Sequence, residues 1–160
     1  MRHRLFSLGY AGYFDVPVIR NLLKLVRVIP VDSARHVVEA MQVSAHILRH
    51  GRLLALFPEG FRTPSGNVGR FKKGVAILAR ELEVPLLPVY IQGSYAAWPP
   101  GVTLPRPRPI RVIFGRAHSW EELKERGLKV APEASDYDAI SLGLRQEVLR
   151  LQEMMEGKTL

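Results

Sequence analysis

Residues 52–57 read Arg-Leu-Leu-Ala-Leu-Phe, an apolar run in which no polar residue separates the hydrophobic side chains. A strand with one solvated face alternates apolar and polar residues, whereas a strand covered on both faces does not. The run therefore predicts a strand that is covered on both sides, as in a parallel sheet. The glycine loop (residues 58–73) and a segment of helical character at residues 74–82 follow it. Ligands of α/β sheets gather beyond the carboxyl ends of such strands, so the loop is the first place to search.

The rest of the chain also alternates short β-like runs with helical spacing. We predict strands at 4–8, 28–31, 85–92 and 110–114, and helices at 16–26, 35–50, from 119 onward and at 136–155. The proline-rich segment (residues 93–109) holds five of the 12 prolines and is expected to be irregular. This order predicts an α/β fold with a mostly parallel central sheet flanked by helices. We expect an α/β domain at residues 1–134 and a C-terminal helix at 135–160 that packs on the domain or extends from it.

Composition narrows the function classes. The 160 residues carry 23 Lys and Arg against 15 Asp and Glu, for a net charge of +8, and contain no Cys. A disulfide scaffold and thiolate-based metal or nucleophile sites are therefore excluded. No stretch reaches the roughly 20 apolar residues of a membrane span. The positive charge favours nucleic acid, an anionic lipid surface, or a phosphorylated or CoA-type substrate, and the alternative is that it only keeps the protein soluble.

The glycine loop combines four cationic side chains with the start of a helix, whose free N–H groups suit a phosphate. Arg62 presents a bidentate fork, and Lys72 and Lys73 act as point charges. Glu59, the loop's one carboxylate, would accept a hydrogen bond from a substrate hydroxyl or orient Arg62. The alternative is a solvated loop with a surface ion pair worth under ~1 kcal/mol. The loop is not a P-loop, because its glycine spacing is not followed by Lys and Ser or Thr.

Four blocks resemble the glycerolipid acyltransferases, which make phosphatidic acid from lysophosphatidic acid and an acyl donor. Residues 57–63, Phe-Pro-Glu-Gly-Phe-Arg-Thr, resemble the family's FPEGTRS block, with Phe61 where Thr is usual. Residues 71–74, Phe-Lys-Lys-Gly, resemble its FKKG, and residues 84–89, Val-Pro-Leu-Leu-Pro-Val, its VPVVPV-type block. Residues 29–32, Ile-Pro-Val-Asp, with Arg35 resemble the upstream block. The resemblance covers roughly residues 4–115 and implies the family's fold.

The resemblance implies acyl transfer from acyl-CoA or acyl carrier protein to the hydroxyl of a lysophosphatidic acid or glycerol 3-phosphate, with no metal and no further cofactor. It implies that Arg62, Arg35 and Lys72 or Lys73 clamp the acceptor phosphate. Glu59 would contact the glycerol, and Gly60 would allow close backbone approach. The residues expected to shape the site are Phe57, Pro58, Thr63, Ser65, Gly74, Pro85 and Pro88.

The family's catalytic block, HxxxxD, is missing from the sequence. In the family its His is the general base and its Asp orients the imidazole. The residues five positions after the five histidines are Leu8, Met41, Gly51, Ala55 and Leu123. No catalytic residue is therefore identified. Two explanations remain open, an N-terminally shortened acyltransferase and a non-catalytic homologue that binds anionic lipid. In either case we expect the chain to bind better than it catalyses.

The implied lipid substrate predicts a peripheral protein at the cytoplasmic face of a membrane. Two surfaces are candidates for lipid contact. One is basic and aromatic and consists of Leu5, Phe6, Leu8, Tyr10, Tyr13, Phe14, Leu22, Leu23 and Leu25 with Arg2, Arg4, Arg20, Lys24 and Arg27. The alternative is that these residues cover the sheet. The other surface is the part of the proline-rich segment at residues 96–109, with Trp98, Arg106 and Arg108. Exposed apolar surface would favour oligomerisation. A basic nucleic-acid-binding domain is the rival reading. It is disfavoured because the basic residues concentrate in one glycine-rich loop and no binding motif is present.

Overall fold

The computed structural model describes residues 5–15, 17–31, 37–102 and 104–157. The chain divides into two compact units, Met1–Phe57 and Pro58–Leu160. The predicted boundary between residues 134 and 135 separates a family domain from a terminal helix and remains a prediction.

The first unit contains the parallel sheet that the sequence predicts. Strand β1 (Leu5–Tyr10) lies between β2 (Val28–Val31) and β3 (Leu53–Ala55), and both neighbours run parallel to it. A 3₁₀ helix (Ala11–Asp15) and helix α1 (Pro17–Leu25) join β1 to β2, and helix α2 (Val37–Arg49) precedes β3. Helix α1 contacts β2 and α2 contacts β3, so that each parallel step is made through a helix. The predicted α/β class with a parallel sheet and flanking helices is confirmed.

The expectation that residues 52–57 form a strand covered on both faces is wrong. The strand is only three residues long and lies at one edge of the three-stranded sheet. Leu53 is 68% exposed and Phe57, beyond the strand end, is 65% exposed. An apolar run shows that the side chains of a strand are hydrophobic. Whether the two faces of the strand are covered depends on which elements pack on the sheet. Other large apolar side chains of this unit are also exposed: Leu5, Tyr10, Leu22, Leu25, Val26, Val37 and Val38.

The second unit is built around helices. Helix α3 (Gly74–Glu81) follows the glycine loop, and strands β4 (Val89–Gln92) and β5 (Arg111–Phe114) pair antiparallel. This pair departs from the parallel arrangement expected for the sheet as a whole. A short helix α4 (Ser94–Ala97) begins the proline-rich segment, where the sequence predicts only irregular structure. Helices α5 (Trp120–Val130) and α6 (Asp136–Met155) complete the unit.

Serine residues cap the starts of the last two helices. The Ser119 hydroxyl accepts a hydrogen bond from the Glu122 amide at 3.3 Å, and the Ser135 hydroxyl accepts one from the Asp138 amide at 3.4 Å. Each bond satisfies one of the N–H groups that a helix start leaves free. Acidic residues in both first turns add a favourable interaction with the helix dipole.

The core of the second unit lies where α5 and α6 cross. A Cβ on Gly127 would overlap the carbonyl oxygen of Ala139, and one on Gly143 would overlap the carbonyl oxygen of Leu123. The two backbones therefore approach as closely as they do only because glycine stands at both positions. The buried apolar side chains of the unit are Phe71, Val75, Ala76, Leu78, Ala79, Leu123, Ala139, Ile140, Leu144, Val148 and Leu151. Among the described residues, no helix is both long enough and apolar enough to cross a bilayer.

Candidate functional site

The glycine loop is closed on itself by two hydrogen bonds. The Lys72 amide donates to the carbonyl of Pro58 at 2.8 Å, and the Gly69 amide donates to Oε2 of Glu59 at 3.0 Å. Glu59 is half-buried, and a Cβ on Gly69 would come within 2.6 Å of its Oε2. One carboxylate oxygen of Glu59 thus has a structural role in bringing the two ends of the loop together.

Helix α6 holds the same loop from the other side. Arg145 donates from Nε to the carbonyl of Gly69 at 2.7 Å and from Nη2 to the carbonyl of Val68 at 3.1 Å. These charge-assisted bonds fix two consecutive carbonyls, so the amides and side chains between them take a defined orientation. Arg145 is not among the site residues predicted from the sequence. The available signal was a cation beside the buried stripe of α6, directly after Leu144.

Arg62 is an exposed cation held against the proline-rich segment. Its guanidinium carbon lies 4.9 Å from the centre of the Trp98 ring, and its Nη1 donates to the Trp98 carbonyl at 3.3 Å. An arginine stacked on an indole keeps the donors in the plane of its guanidinium available. Arg62 is therefore ordered and retains hydrogen-bonding capacity for an anion.

The two adjacent lysines have different surroundings. Lys72 Nζ lies 4.3 Å from the centre of the Phe61 ring, and its side chain passes Gly60, where a Cβ would come within 2.6 Å of Nζ. Lys73 Nζ instead lies 2.8 Å from Oδ2 of Asp138 on α6. The side chain of Lys72 thus lies against Gly60 and Phe61, the residues that precede Arg62 in the sequence. Lys73 instead connects the start of α3 with the start of α6.

The two hydroxyl residues support turns inside the loop. The Ser65 amide donates to Oγ1 of Thr63 at 3.4 Å, and the Asn67 amide donates to Oγ of Ser65 at 3.4 Å. The hydroxyl of Tyr95 donates to the carbonyl of Pro64 at 2.9 Å and connects these turns to α4. Thr63 and Ser65 therefore contribute to the shape of the loop, as residues that favour local turns do.

The remaining predicted residues lie at several places. Gly74 is the first residue of α3, and Pro58 supplies the carbonyl that closes the loop. Pro85 lines a cavity of about 340 Å³ whose other lining residues are Glu83, Val84, Ser119, Trp120 and Glu121, none of them in the loop. Pro88 is buried, and a Cβ on Gly115 would come within 2.8 Å of Cγ in the Pro88 ring. Arg35 lies outside the described residues.

One histidine in the second unit has carboxylate partners. His118 Nδ1 lies 3.0 Å from Oε2 of Glu122, and its Nε2 lies 3.4 Å from Oε2 of Glu147. His118 and Glu147 are each only 2% exposed, and Glu147 also pairs with Arg126 and Arg150. A general base must reach the proton that it removes, and a buried side chain does not reach a substrate. We therefore assign His118 a structural role, in which it connects Glu122 of α5 with Glu147 of α6.

Comparison with known proteins shows that the chain is similar to acyltransferases. The sequence model of the family described as Acyltransferase matches residues 1–92, which include the whole glycine loop. A probable 1-acyl-sn-glycerol-3-phosphate acyltransferase of Mycoplasma genitalium is 30% identical over 123 residues, which are 76% of this chain and 38% of that protein. The chloroplastic 1-acyl-sn-glycerol-3-phosphate acyltransferase BAT2 of Brassica napus is 30% identical over 108 residues, 62% of this chain and 31% of that protein.

A solved structure shares the fold. The 1-acyl-sn-glycerophosphate acyltransferase PlsC of Thermotoga maritima superimposes with a TM-score of 0.62 at 19% identity, covering 92% of this chain and 56% of that one. The chain spans less than half the length of the two curated relatives. Because the family model covers more than half of the chain, the chain belongs to the Acyltransferase family.

Proposed function

We propose that the glycine loop binds the phosphate of a 1-acylglycerol 3-phosphate or glycerol 3-phosphate acceptor, within an enzyme that transfers a fatty acyl group to that acceptor. Family membership and the printed names of the relatives support this reaction class. The exposed cations Arg62 and Lys72 carry the proposal. Both belong to one closed loop: Arg62 lies near its start, and Lys72, near its end, extends its side chain over Gly60 and Phe61. A guanidinium fork and an ammonium together match the charge and oxygen geometry of a phosphate.

We assign the second cation to Lys72 in preference to Lys73. Lys73 has its ammonium in an ion pair with Asp138, and an anion at Lys73 would have to compete with that carboxylate. Lys72 Nζ lies against an aromatic ring and next to the glycine that has no side chain to obstruct it. An ammonium above an aromatic face remains accessible from its other side.

Glu59 contributes shape and, we propose, one polar contact. Its Oε2 accepts the Gly69 amide, and a carboxylate has capacity for further hydrogen bonds. A hydroxyl of the glycerol moiety would donate to this carboxylate while the phosphate lies on Arg62 and Lys72. The alternative that Glu59 orients Arg62 receives less support, because the Arg62 guanidinium is oriented by Trp98.

The reaction is the attack of an acceptor hydroxyl on the thioester of acyl-CoA or acyl carrier protein. The hydroxyl oxygen forms the new ester bond as the carbon–sulfur bond breaks, the hydroxyl proton is taken up by a base, and the donor leaves as a thiol. The glycine loop would contribute by positioning the hydroxyl, which can supply a large share of the rate enhancement. No histidine of the 160 residues has an Asp five positions later, so we assign no base within this chain.

Binding of glycerol 3-phosphate to the 160-residue chain tests the proposal. Arg62→Ala removes hydrogen bonds to a charged group and should weaken binding by about 10- to 100-fold. Lys72→Ala should also weaken binding, whereas Lys129→Ala, which removes an exposed cation from α5, serves as the charge-matched control. Wild-type affinity in both Arg62→Ala and Lys72→Ala would contradict the phosphate assignment.

Turnover separates a catalytic chain from one that binds without catalysing. We expect the chain to bind the acceptor but to release no thiol from acyl-CoA in the presence of vesicles that contain lysophosphatidic acid. Loss of the general base alone costs about 10²–10⁴-fold in rate. Thiol release at an appreciable rate would show that the chain contains a base not assigned here.

Helix α1 is our candidate for contact with an anionic bilayer, at which the lipid acceptor would be reached. Leu22 and Leu25 are 60% and 79% exposed, and the same helix carries Arg20 and Lys24, both exposed. Apolar and basic residues on one surface helix are typical of interfacial binding. Co-sedimentation with vesicles that contain phosphatidylglycerol should fall for the double variant Leu22→Ser and Leu25→Ser and remain for Leu53→Ser. Equal losses in the two variants would exclude a specific role of α1.

A further inference from the structure

The proline-rich segment, which none of the four sequence blocks includes, contacts the glycine loop at three points. The Tyr95 hydroxyl donates to the Pro64 carbonyl. The Tyr95 ring also lies beside Gly66, where a Cβ would come within 3.1 Å of Cδ1 of that ring. The third contact is the stacking of Arg62 on Trp98. Gly66 has a positive φ of 82°, which allows the loop to turn at the point where Tyr95 packs. The segment is therefore a wall of the candidate site.

Trp98 is fixed within this wall. Its indole Nε1 donates to the carbonyl of Val102 at 2.7 Å, and its amide donates to the carbonyl of Ser94 at 2.9 Å. The Arg106 amide donates to the carbonyl of Ala97 at 2.7 Å, and this hydrogen bond joins the two ends of the stretch that contains Trp98. An indole held at its nitrogen and at its backbone presents its ring face in a defined direction.

The contact between Arg62 and Trp98 leaves the arginine suited to an anion. The Trp98 carbonyl accepts one N–H from Nη1, while a guanidinium carries five N–H donors. The guanidinium carbon lies 4.9 Å from the centre of the Trp98 ring. A phosphate would be bound through the N–H donors that the Trp98 carbonyl does not accept. Stacking also limits the rotamers of an exposed arginine, so that less conformational entropy is lost when the phosphate binds.

We propose that Trp98 is a positioning residue that orders the Arg62 guanidinium for the acceptor phosphate. The inference rests on the proposed function, because it assigns Trp98 a part in that same site. Trp98 does not touch the phosphate in this scheme and acts through Arg62. The proline-rich segment accordingly contributes to acceptor recognition by holding Trp98 against Arg62.

A double-mutant cycle with glycerol 3-phosphate as the ligand tests the inference. Trp98→Leu should weaken binding by about 3- to 10-fold, the size expected for an exposed or partly desolvated cation–π contact. Trp98→Phe keeps an aromatic face and should retain most of the affinity. In the Arg62→Ala background, Trp98→Leu should have no further effect, since its role passes through the arginine.

Fluorescence gives a second readout that does not depend on affinity. The chain contains two tryptophans, so Trp120→Phe leaves Trp98 as the sole indole. Glycerol 3-phosphate should change the emission of Trp98 in this background. The bound phosphate would alter the charge and position of the Arg62 guanidinium, which lies 4.9 Å from the centre of the Trp98 ring. Adding Arg62→Ala should abolish the change. A ligand-induced change that persists without Arg62 would overturn the inference.

The outcomes separate this inference from the proposed function. If Arg62→Ala weakens binding and Trp98→Leu leaves it at the wild-type value, the inference fails and the proposed function stands. If Trp98→Leu weakens binding equally with and without Arg62, Trp98 only supports the fold and the inference also fails. If Arg62→Ala binds as the wild type does, the inference fails, and if Lys72→Ala also binds as the wild type does, the proposed function fails as well.

Discussion

Arg145 in the middle of α6 donates from Nε to the carbonyl of Gly69 in the glycine loop at 2.7 Å, although 76 residues separate the two in sequence. Its Nη2 donates to the adjacent carbonyl of Val68. The terminal helix thus contributes to the shape of the candidate site as well as to the core. A change in α6 can therefore affect anion binding without altering any residue of the loop.

Arg145→Ala should loosen the glycine loop. The substitution leaves two carbonyls without their charged donor, and we expect the free energy of unfolding to fall by about 2 kcal/mol. Amide hydrogen exchange should accelerate at residues 66–70 more than in α5. Arg145→Lys, which keeps the charge but lacks the fork, should give an intermediate result. Unchanged exchange in the loop of Arg145→Ala would refute the anchoring role.

The two functions assigned to Glu59 can be separated by substitution. Glu59→Ala leaves the Gly69 amide without its acceptor and should lower the free energy of unfolding by about 1–2 kcal/mol. Glu59→Gln keeps an acceptor oxygen and should fold nearly as stably, yet bind glycerol 3-phosphate more weakly if the carboxylate accepts a substrate hydroxyl. Glu125→Gln, at an exposed position of α5, is the control. Normal binding by Glu59→Gln would leave Glu59 with a structural role alone.

Local patterns predicted most elements of the fold. The predicted start at residue 119 and the predicted helix at 136–155 agree with α5 and α6, because helix starts and amphipathic periodicity depend on neighbouring residues. The antiparallel pairing of β4 with β5 depends instead on the path of the proline-rich segment that connects the two strands. The residue pattern within each strand does not indicate whether the pairing is parallel or antiparallel.

The candidate site shows the same limit. The sequence treats Lys72 and Lys73 as equivalent cations, and only tertiary structure shows that one faces Phe61 and the other Asp138. The roles of Trp98 and Arg145 depend likewise on contacts between distant segments. Motif comparison locates the loop, but it does not identify the residues that hold the loop in place.

Gly60 should be intolerant of a side chain for two separable reasons. Its φ of 77° is unfavourable for other residues by about 1–2 kcal/mol, and a Cβ would displace the flexible end of the Lys72 side chain from its place beside Gly60. Gly60→Ala should therefore lose both stability and affinity for glycerol 3-phosphate. Gly51→Ala is the control, because Gly51 also has a positive φ but nothing lies within 4 Å of its Cβ position. Equal affinities of the two variants would argue against a role of Lys72 in binding.

The glycines at the crossing of α5 and α6 should be the least replaceable residues of the second unit. In Gly127→Ala or Gly143→Ala the new methyl group meets a backbone carbonyl of the other helix, which cannot rotate away as a side chain can. We expect each substitution to cost more than about 3 kcal/mol, at the upper end of overpacking effects. Thermal unfolding measures the loss, and Glu125→Ala on the exposed side of α5 is the control. A wild-type midpoint for Gly143→Ala would show that the helices separate at little cost.

Acid should weaken the contact between α3, α5 and α6. The hydrogen bond from Lys73, followed by that from Ser135, lowers the pKa of Asp138 below 3.8, and the hydrogen bond from Lys124 does the same for the pKa of Asp136. A carboxylate whose pKa is lower in the folded state stabilises the fold above its unfolded pKa, and this contribution is lost as the pH falls through the folded value. The melting temperature of the wild type should therefore decline below about pH 4. Asp138→Asn and Asp136→Asn should each make this decline shallower, and salt at about 1 M should also reduce it because the pairs are partly exposed. An identical acid profile for the wild type and both variants would show that neither ion pair contributes to stability.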